Sequence, residues 1–490
     1  MSVKRIVVIG GGITGLTAGF RLAEEARRLG LALDLTVLEA AARAGGHATT
    51  LREDGFLVEA GPNGFLDRPR EPQVADLARA LGIEARLIEA RPAARKRFVL
   101  LRGRLRRAPD SPPTLLRSDA LSPLGKLRVM LEPLARAAKN GAEESVFDFA
   151  RRRIGREAAE RLVDAAVAGI SAGDSRRLSV AHAFPLMIEM EREHGSLVRA
   201  MIARRKQGKS RLMSFEGGMA TLIDALAARL GPALRCGAAV RSLTRAGVEW
   251  RIALEDGAAL SADHVLLALP AARAATIVRG LDPALGDALA AFPFAGIVMT
   301  ALAYSAGDVG PLDGYGYLVA RSEGLDTLGV LWESSVFDGR TPQGMALLRV
   351  MMGGVRGPGI ADLGEAELVM RARAELERVM GIRATPKRVW VRRWPRAIAQ
   401  YELGHGQRVA TARAEAARHL GLELCGTSYD GVSFGSAVKS AEAAARRMVA
   451  AIAGAAGGTS GANTAGDAER GVPSFASARE PAMGRAGGGR

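Results

Sequence analysis

Three glycines and one glutamate near the start of the chain have the spacing that dinucleotide binding requires. Gly10, Gly12 and Gly15 form the pattern GxGxxG, and Glu39 follows at the end of the next apolar run. The glycines allow a tight turn, a close approach of the backbone to a pyrophosphate and close packing of a helix on a strand. The Glu39 carboxylate would accept hydrogen bonds from ribose hydroxyls and repel a 2′-phosphate, which favours FAD or NAD over NADP.

The elements that position these residues are predicted to be a strand, a helix and a second strand. Residues 6–9 are an apolar run before the glycines, an amphipathic stretch follows them, and residues 35–38 lead into Glu39. In such a βαβ unit the helix N-terminus presents free N–H groups and a partial positive charge to the phosphates. The GxGxxG pattern alone is weak in a chain with 59 glycines, and its position between these elements makes it specific.

A second pattern distinguishes between the two cofactors. Arg43 and the pair Gly45-Gly46 follow Glu39 as ExxxRxGG. This extension resembles the two-dinucleotide-binding-domain flavoproteins, which include amine oxidases, phytoene desaturases and protoporphyrinogen oxidases. The resemblance implies noncovalent FAD, with Arg43 and the glycine backbone near the phosphate and ribitol.

Four later blocks resemble the oxygen-dependent porphyrinogen oxidases more specifically. They are residues 59–65 (EAGPNGF), 169–179 (GISAGDSRRLS), 394–405 (WPRAIAQYELGH) and 426–433 (GTSYDGVS). Two positions depart from the pattern of that family. His47 lies where the family can have tryptophan, and Ala399 replaces the proline before Gln400 and Tyr401.

The resemblance implies two sets of binding residues, no metal site and no catalytic side chain, because the flavin carries the chemistry. The cofactor set is Gly10, Gly11, Gly12, Ile13, Thr14, Gly15, Glu39, Ala40, Arg43, Gly45, Gly46, His47, Gly61, Pro62, Asn63, Gly64, Val240, Trp394, Val432, Ser433 and Phe434. The substrate set is Arg97, as the partner of a propionate carboxylate, with Asn63, Gly169, Gly316 and Leu318.

The activity that the resemblance implies is oxidation of protoporphyrinogen IX to protoporphyrin IX with O2 in haem biosynthesis. A porphyrinogen is an apolar ring with several carboxylates, so its site needs an apolar slot and an arginine that grips a carboxylate in two places. Oxidation of coproporphyrinogen III to coproporphyrin III is the close alternative. Another flavoenzyme of the amine oxidase or carotenoid desaturase type also stays open, as does a flavoprotein-like scaffold for anionic lipid.

The charge balance limits the classes of partner. The chain has a net charge of +16, and much of the excess lies in residues 91–107. This segment predicts either a solvated basic face or contact with anionic lipid or a polycarboxylate. No zinc motif or helix-turn-helix signal accompanies it, so no nucleic-acid partner is expected.

Cysteine usage and hydropathy suggest a cytoplasmic protein. Cys236 and Cys425 are far apart and lack nearby metal ligands, so buried structural thiols are expected. A strand begins near residue 5, which leaves no room for a signal peptide. Residues 288–307 are uncharged, but proline, glycine and hydroxyl residues interrupt them, and a buried strand is predicted there. Peripheral contact with the inner face of the cell membrane and a homodimer stay open.

The predicted fold class is α/β, with a Rossmann-like FAD-binding domain, a sheet-based substrate domain and a mostly helical domain. The FAD-binding domain is predicted over residues 1–90, 206–270 and 401–455. The helical domain, with membrane contact as an alternative, is predicted over 91–205, the substrate domain over 271–400 and a disordered tail over 456–490.

Residues 122–139 predict an amphipathic helix bent at Pro133. Their leucines recur at spacings of three and four, with charged residues elsewhere. The apolar face is predicted either to pack in the core or to face a membrane surface or a substrate channel.

Overall fold

The apolar run before the glycine turn forms the centre of a parallel sheet. In the computed structural model, which describes residues 3–136, 143–204 and 208–458, Lys4–Ile9 pairs with Leu33–Leu38 on one side and with His264–Leu267 on the other. Helix Ile13–Arg28 connects the first two strands. The predicted βαβ unit is therefore confirmed.

Strands and helices alternate along much of the described chain. The strands are β1 Lys4–Ile9, β2 Leu33–Leu38, β3 Thr50–Glu53, β4 Phe56–Glu59, β5 Phe65–Asp67, β6 Leu87–Glu89, β7 Arg97–Leu101, β8 Arg104–Arg107, β9 Arg211–Phe215, β10 Leu234–Arg235, β11 Val240–Ala246, β12 Glu249–Leu254, β13 Ala259–Ala262, β14 His264–Leu267, β15 Phe294–Ser305, β16 Gly316–Val319, β17 Thr327–Trp332, β18 Met345–Gly353, β19 Arg388–Ala399 and β20 Leu422–Leu424.

The helices are concentrated between residues 112 and 204 and around the two larger sheets. They are α1 Ile13–Arg28, α2 Gln73–Ala80, α3 Pro112–Arg117, α4 Pro123–Met130, α5 Val146–Ile154, α6 Arg156–Ala158, α7 Asp164–Ser171, α8 Val180–Ala183, α9 Pro185–His194, α10 Leu197–Arg204, α11 Ala220–Leu230, α12 Ala271–Val278, α13 Pro283–Ala290, α14 Ala306–Val309, α15 Glu333–Val336, α16 Glu365–Met380, α17 His405–Ala417 and α18 Phe434–Gly458.

In the first large sheet, the glycine turn lies at the carboxyl end of the central strand, β1. Its strand order is β10-β2-β1-β14-β20, and every pairing is parallel. Trp250, Val265 and Leu267 belong to the buried core beside this sheet. Because parallel strands end at the same edge, the turns after Ile9, Leu38 and Leu424 lie together there.

The second large sheet has the order β19-β15-β18-β17-β16-β7-β8. Its neighbours are antiparallel except for β16 and β7, which pair in parallel. The uncharged run that the sequence predicted as a buried strand is β15, and that prediction is confirmed. Helix α16 covers one face, with Leu368 and Leu376 fully buried against the sheet.

Two strands of this sheet differ from the sequence interpretation. The hairpin β7–β8 of the basic segment lies in the same sheet as strands from residues 294–399, whereas the sequence grouped it with the helical region. Strand β19 was not predicted, because its arginines and Pro395 hide the alternation of a strand. It pairs along β15 with an irregularity between Ala295 and Ile297.

The amphipathic segment is shorter than predicted and its leucines are not in the core. Helix α4 ends at Met130, and a single turn, Glu132–Leu134, follows it; residues 137–139 lie outside the described chain. Leu124 is 77% exposed and Leu134 is 74% exposed. The core-packing alternative is therefore wrong for this face.

A buried ionic network fixes the base of that segment. Glu132 is fully buried, is paired with Arg153 and accepts the hydroxyl of Ser196 at 2.6 Å. It also accepts the backbone N–H groups of Leu197 and Val198 at the start of α10. The segment that carries the exposed leucines is thus anchored to α5 and α10 through Glu132.

The chain up to Val449 forms one compact unit. Helix α18 continues to Gly458, three residues into the segment predicted as a tail. The rest of that predicted tail, residues 459–490, lies outside the described chain. Among the described residues, no helix is long and apolar enough to cross a membrane.

Candidate cofactor and substrate sites

The glycine turn after β1 is too crowded for side chains at two of its positions. Gly10 has φ +113°, and a Cβ there would lie 2.6 Å from the carbonyl oxygen of Ala268. A Cβ at Gly15 would lie 1.7 Å from the carbonyl oxygen of Gly10. Both contacts are far below van der Waals distance, so glycine is required by the protein itself.

Gly12 is different, because its glycine is not explained by protein contacts. Its φ is −72°, an ordinary value, and a Cβ there would meet no protein atom within 4 Å. Gly12 precedes Ile13 and Thr14 at the N-terminus of the 16-residue helix α1. Free space at the positive end of a helix suits a phosphate group, so the turn fits the pyrophosphate of a dinucleotide.

Glu39 lies beside the turn at the end of β2, as predicted. Its carboxylate accepts the N–H of Gly11 and the N–H of Ala41, both at 2.8 Å. The backbone carbonyl of Glu39 accepts the N–H of Ala238, which brings the start of β11 at Val240 close by. Val240 itself is buried.

The second glycine pair packs directly on the first turn. The N–H of Gly45 donates to the carbonyl of Gly11 at 2.8 Å, and a Cβ on Gly46 would lie 3.3 Å from the Cα of Gly12. Gly61 approaches the carbonyl of His47 so closely that a Cβ would lie 1.9 Å from its oxygen. The segments 10–15, 45–47 and 61–64 are therefore adjacent.

Trp394 joins this group from the second large sheet. Its indole N–H donates to the carbonyl of Ala60 at 2.7 Å. Its ring meets His47 edge to face, with 4.7 Å between the ring centroids. The departure at His47 is thus compatible with an aromatic contact at this position.

The last predicted cofactor segment, Val432, Ser433 and Phe434, leads into α18, which begins at Phe434. Phe434 stacks on Phe65 with 6.3 Å between centroids, which places it near Gly64. Tyr401 holds the loop before it, because its hydroxyl donates to the Thr427 carbonyl at 2.8 Å and accepts the Gly431 N–H at 2.6 Å.

Three members of the cofactor set make few protein contacts. Arg43 has its side chain 82% exposed, 4.0 Å from Asp224. Ala40 is exposed, and Pro62 is half-buried between Gly61 and Asn63.

All five members of the predicted substrate set lie around the start of β16. Gly316 is paired with Arg97 in the parallel register of β16 and β7. Gly169 faces Leu318, since a Cβ on Gly169 would lie 2.1 Å from a Leu318 methyl carbon. Tyr315, immediately before the strand, reaches Asn63 with its hydroxyl.

Sequence reasoning missed a buried ionic network beneath residues 59–61. Arg349 donates to the carbonyl oxygens of Glu59 and Gly61, each at 2.7 Å, and pairs with Glu333 at 2.7 Å. Glu59 accepts the hydroxyl of Thr50 at 2.7 Å and lies 3.5 Å from Arg340. Burial raises the pKa of Glu59 and lowers that of Arg340. The only sequence signal was a charged residue ending an apolar strand.

Much of the basic segment is ion-paired. Arg91 pairs with Asp338, Lys96 with Asp313, Arg106 with Asp119 and Arg107 with Asp110. Arg97 has no carboxylate partner within the described residues; its guanidinium lies over the Tyr315 ring instead. The segment therefore has fewer unpaired positive charges than its composition suggests. Arg97 is one of those that form no ion pair with a described residue.

The two cysteines differ in environment. Cys425 is fully buried, as expected, and burial raises the pKa of its thiol. Cys236 is exposed, so the expectation of a buried thiol is wrong there. It follows the two-residue edge strand β10, which covers it poorly.

Comparison with known proteins agrees with this geometry. Residues 13–449 match the family profile described as flavin containing amine oxidoreductase. The chain is 33% identical to a protein of Oryza sativa subsp. japonica named protoporphyrinogen oxidase, chloroplastic, over 90% of this chain and 87% of that one. It is 30% identical to the coproporphyrinogen III oxidase of Bacillus subtilis (strain 168), over 90% and 97% of the two chains.

A solved structure has the same fold over most of its length. A protein from Exiguobacterium sp. 255-15 superposes with a TM-score of 0.79 at 26% identity, covering 91% of this chain and 99% of that one. The predicted α/β fold class is confirmed. The chain belongs to the flavin-containing amine oxidoreductases, and its cofactor is FAD.

Proposed function

We propose that this protein oxidises protoporphyrinogen IX to protoporphyrin IX with O2 in haem biosynthesis. The observation that carries the proposal is the convergence of Arg97, Asn63, Gly169 and Leu318 on strand β16. Relatives named for porphyrinogen oxidation align over nine-tenths of the chain.

The cofactor set of residues would bind FAD along its whole length. The turn Gly10–Gly15 and the amides at the start of α1 would hold the FAD pyrophosphate, and Glu39 the ribose. Gly45 and Gly46 would lie near the phosphate and ribitol, next to Gly12. The segments at His47, Gly61–Gly64, Trp394 and Val432–Phe434 would enclose the ring system. Bound FAD would supply the hydride acceptor that O2 regenerates. The division of the chain into the FAD-binding, helical and substrate domains and a tail, over the six ranges predicted from the sequence, is also proposed.

Arg97 is the carboxylate-binding residue of the proposal. A guanidinium without a carboxylate partner can form two parallel hydrogen bonds with a propionate. A methyl carbon of Leu318 occupies the space where Gly169 would carry a side chain, and the half-buried Leu318 offers an apolar surface to the ring. Coproporphyrinogen III, the substrate named for the Bacillus relative, is the second candidate, because it also carries propionates.

Turnover of the two porphyrinogens tests the function. Purified protein is given protoporphyrinogen IX or coproporphyrinogen III in air, and the fluorescent porphyrin is followed. A higher kcat/KM for protoporphyrinogen supports the proposal, whereas a clear preference for coproporphyrinogen selects the second candidate. Absence of turnover with both would refute porphyrinogen oxidation.

The FAD is proposed to be noncovalent. Cys425 is fully buried beside β20 and Cys236 follows β10, and neither lies in the residues proposed to enclose the flavin ring. Acid precipitation should release the flavin into the supernatant. Yellow colour retained in the pellet would contradict this.

We also propose peripheral contact with an anionic membrane through the exposed leucines of α4 and the turn after it. Leu124, Leu127 and Leu134 are exposed, and Met201 and Ile202 of α10 are exposed as well. Apolar side chains beside basic ones suit an interfacial face, and each near-surface basic residue contributes about 1 kcal/mol on anionic lipid.

Vesicle flotation tests the membrane proposal. At low salt, anionic vesicles should carry more protein than neutral ones, and added salt should weaken the binding. Leu124→Ser with Leu134→Ser should reduce flotation, while Leu420→Ser, an exposed leucine elsewhere, should not. Equal recovery on both vesicle types would leave substrate steering as the role of the charge. Sedimentation tests the homodimer, which stays a prediction.

A further inference from the structure

One tyrosine contacts both polar residues of the predicted substrate set. The guanidinium carbon of Arg97 lies 5.3 Å from the centroid of the Tyr315 ring. The Tyr315 hydroxyl donates a long hydrogen bond of 3.4 Å to Asn63 Oδ1. Nothing in the sequence singled out Tyr315, because the three residues are far apart along the chain.

The backbone and ring of Tyr315 are held on several sides. Its N–H donates to the Lys96 carbonyl at 2.8 Å, and its carbonyl accepts the Trp332 N–H at 3.0 Å. The ring packs against the buried cluster that contains Val336 and Phe337. Tyr315 is therefore a fixed platform between β7 and β17.

The two side chains that Tyr315 contacts have unused binding capacity. Arg97 has no carboxylate partner within the described residues, although the preceding Lys96 pairs with Asp313. Asn63 is 7% exposed, and its Nδ2 has no hydrogen-bond partner among the described residues. A buried N–H without a partner is costly, so this amide nitrogen is the group left for a bound ligand.

The hydroxyl of Tyr315 determines which end of the amide is free. Burial raises the pKa of Tyr315, so the hydroxyl stays protonated and able to donate. Donation to Oδ1 leaves Nδ2 to donate elsewhere. The ring face meanwhile supports a guanidinium by a cation–π contact without using its N–H groups.

We propose that Tyr315 is a positioning residue that couples substrate binding to the orientation of Asn63. The ring holds Arg97 ready for a carboxylate, and the hydroxyl directs the Asn63 amide nitrogen toward the bound molecules. The inference rests on the proposed porphyrinogen oxidation and adds a residue to it. It predicts that the two halves of one side chain affect different kinetic constants.

Two substitutions separate the two halves of the side chain. Tyr315→Phe keeps the ring and removes the hydroxyl, so kcat should fall about threefold to tenfold with KM nearly unchanged, the range for one neutral hydrogen bond. Tyr315→Met removes the ring as well, so KM should also rise roughly twofold to fivefold. The dissociation constant of the porphyrin product, measured by fluorescence, should follow KM.

Double-mutant cycles show whether these effects pass through the named partners. In an Asn63→Ala background, Tyr315→Phe should have little further effect on kcat. In an Arg97→Ala background, Tyr315→Met should have little further effect on KM. Tyr317→Phe, at a buried tyrosine two residues further along in β16, is the matched control and should change neither constant.

Unchanged kcat in Tyr315→Phe would overturn the proposal, as would additive effects in both cycles. A fall in kcat together with a rise in KM and a loss of FAD in Tyr315→Phe would show a merely structural role and also overturn the proposal. If Tyr315→Met does not fold, the kcat of Tyr315→Phe and its cycle with Asn63→Ala decide the test. A wild-type protein without porphyrinogen turnover would instead refute the proposed function.

Discussion

The proposed cofactor side and the proposed substrate side of this molecule are built differently, one mainly from backbone turns and the other from side chains. The cofactor side consists of backbone turns packed against each other, as where Gly45 donates to Gly11 and Gly61 meets the carbonyl of His47. The substrate side consists of side chains from separate segments, brought together by the pairing of β16 with β7. Most of the first lies within the first 64 residues, with Trp394 and Phe434 added from later segments, whereas the second depends on the completed sheet.

The difference has a consequence for tolerance to substitution. Backbone turns need glycine for space or for positive φ, so a substitution there acts through sterics. Side chains on a formed sheet can be changed one at a time, so a substitution there acts through a single contact.

The largest effect is expected at Gly12 on the cofactor side. Gly12→Val should abolish FAD binding while leaving the melting temperature of the apoprotein nearly unchanged, because no protein atom lies within 4 Å of the new Cβ. Flavin absorbance and calorimetry of the apoprotein measure the two effects. Gly280→Val, in an exposed turn with equally free space, is the control and should retain FAD.

Gly15→Ala sharpens the same point by failing differently. Its Cβ would lie 1.7 Å from the carbonyl oxygen of Gly10, so the apoprotein itself should be destabilised. Equal apoprotein stability in Gly12→Val and Gly15→Ala would contradict the distinction between ligand space and protein space.

His405, which packs on the tyrosine that holds the loop before Val432, should give a pH-dependent effect. His405 is buried and stacks on Tyr401 with 3.7 Å between centroids. Burial first, then His182 and Arg408, lowers the pKa of His405 from 6.5 to about 4, although Glu143 opposes this. The unfolded chain binds the proton first as pH falls, so stability is lost between about pH 6.5 and 4, by up to about 3 kcal/mol.

Denaturant unfolding at several pH values measures this loss. His405→Phe keeps an aromatic ring on Tyr401 and cannot titrate, so its free energy of unfolding should fall less steeply over the same pH range. The same slope in both proteins would show that other groups account for the acid sensitivity.

The smallest effect is expected at Arg97 on the substrate side. Arg97→Ala should raise KM for the porphyrinogen more than it lowers kcat, at a cost of about 1–3 kcal/mol for a charge-assisted contact. FAD content should not change. Arg95→Ala, at an exposed neighbour on the same segment, is the control. An equal KM in the two variants would show that Arg97 is a solvated surface charge without a role in substrate binding.

Much of the cofactor side was predictable because its signals are local. The strand, the glycine turn, helix α1 and Glu39 follow one another within a single unit, and each constrains the next. The buried strand at Phe294–Ser305 was also predictable, because its apolar run is interrupted in a way that suits a strand more than a helix.

The substrate side and the helical segment were less predictable because their environments are not local. Leucine spacing in α4 cannot distinguish a face toward the core from one toward solvent, and only the packing reveals the exposure of Leu124. Tyr315 and Arg349 gave no sequence signal, because their partners Asn63 and Gly61 lie in a distant segment.

The parallel pairing of β7 with β16 has a consequence for synthesis on the ribosome. Arg97 leaves the exit tunnel long before Gly316, its register partner, so the basic hairpin must wait without its neighbouring strand. Closing so large a loop is slow and costs entropy that local contacts do not offset. We therefore expect Arg97 to reach its place late in folding, after β15 to β18 have left the ribosome.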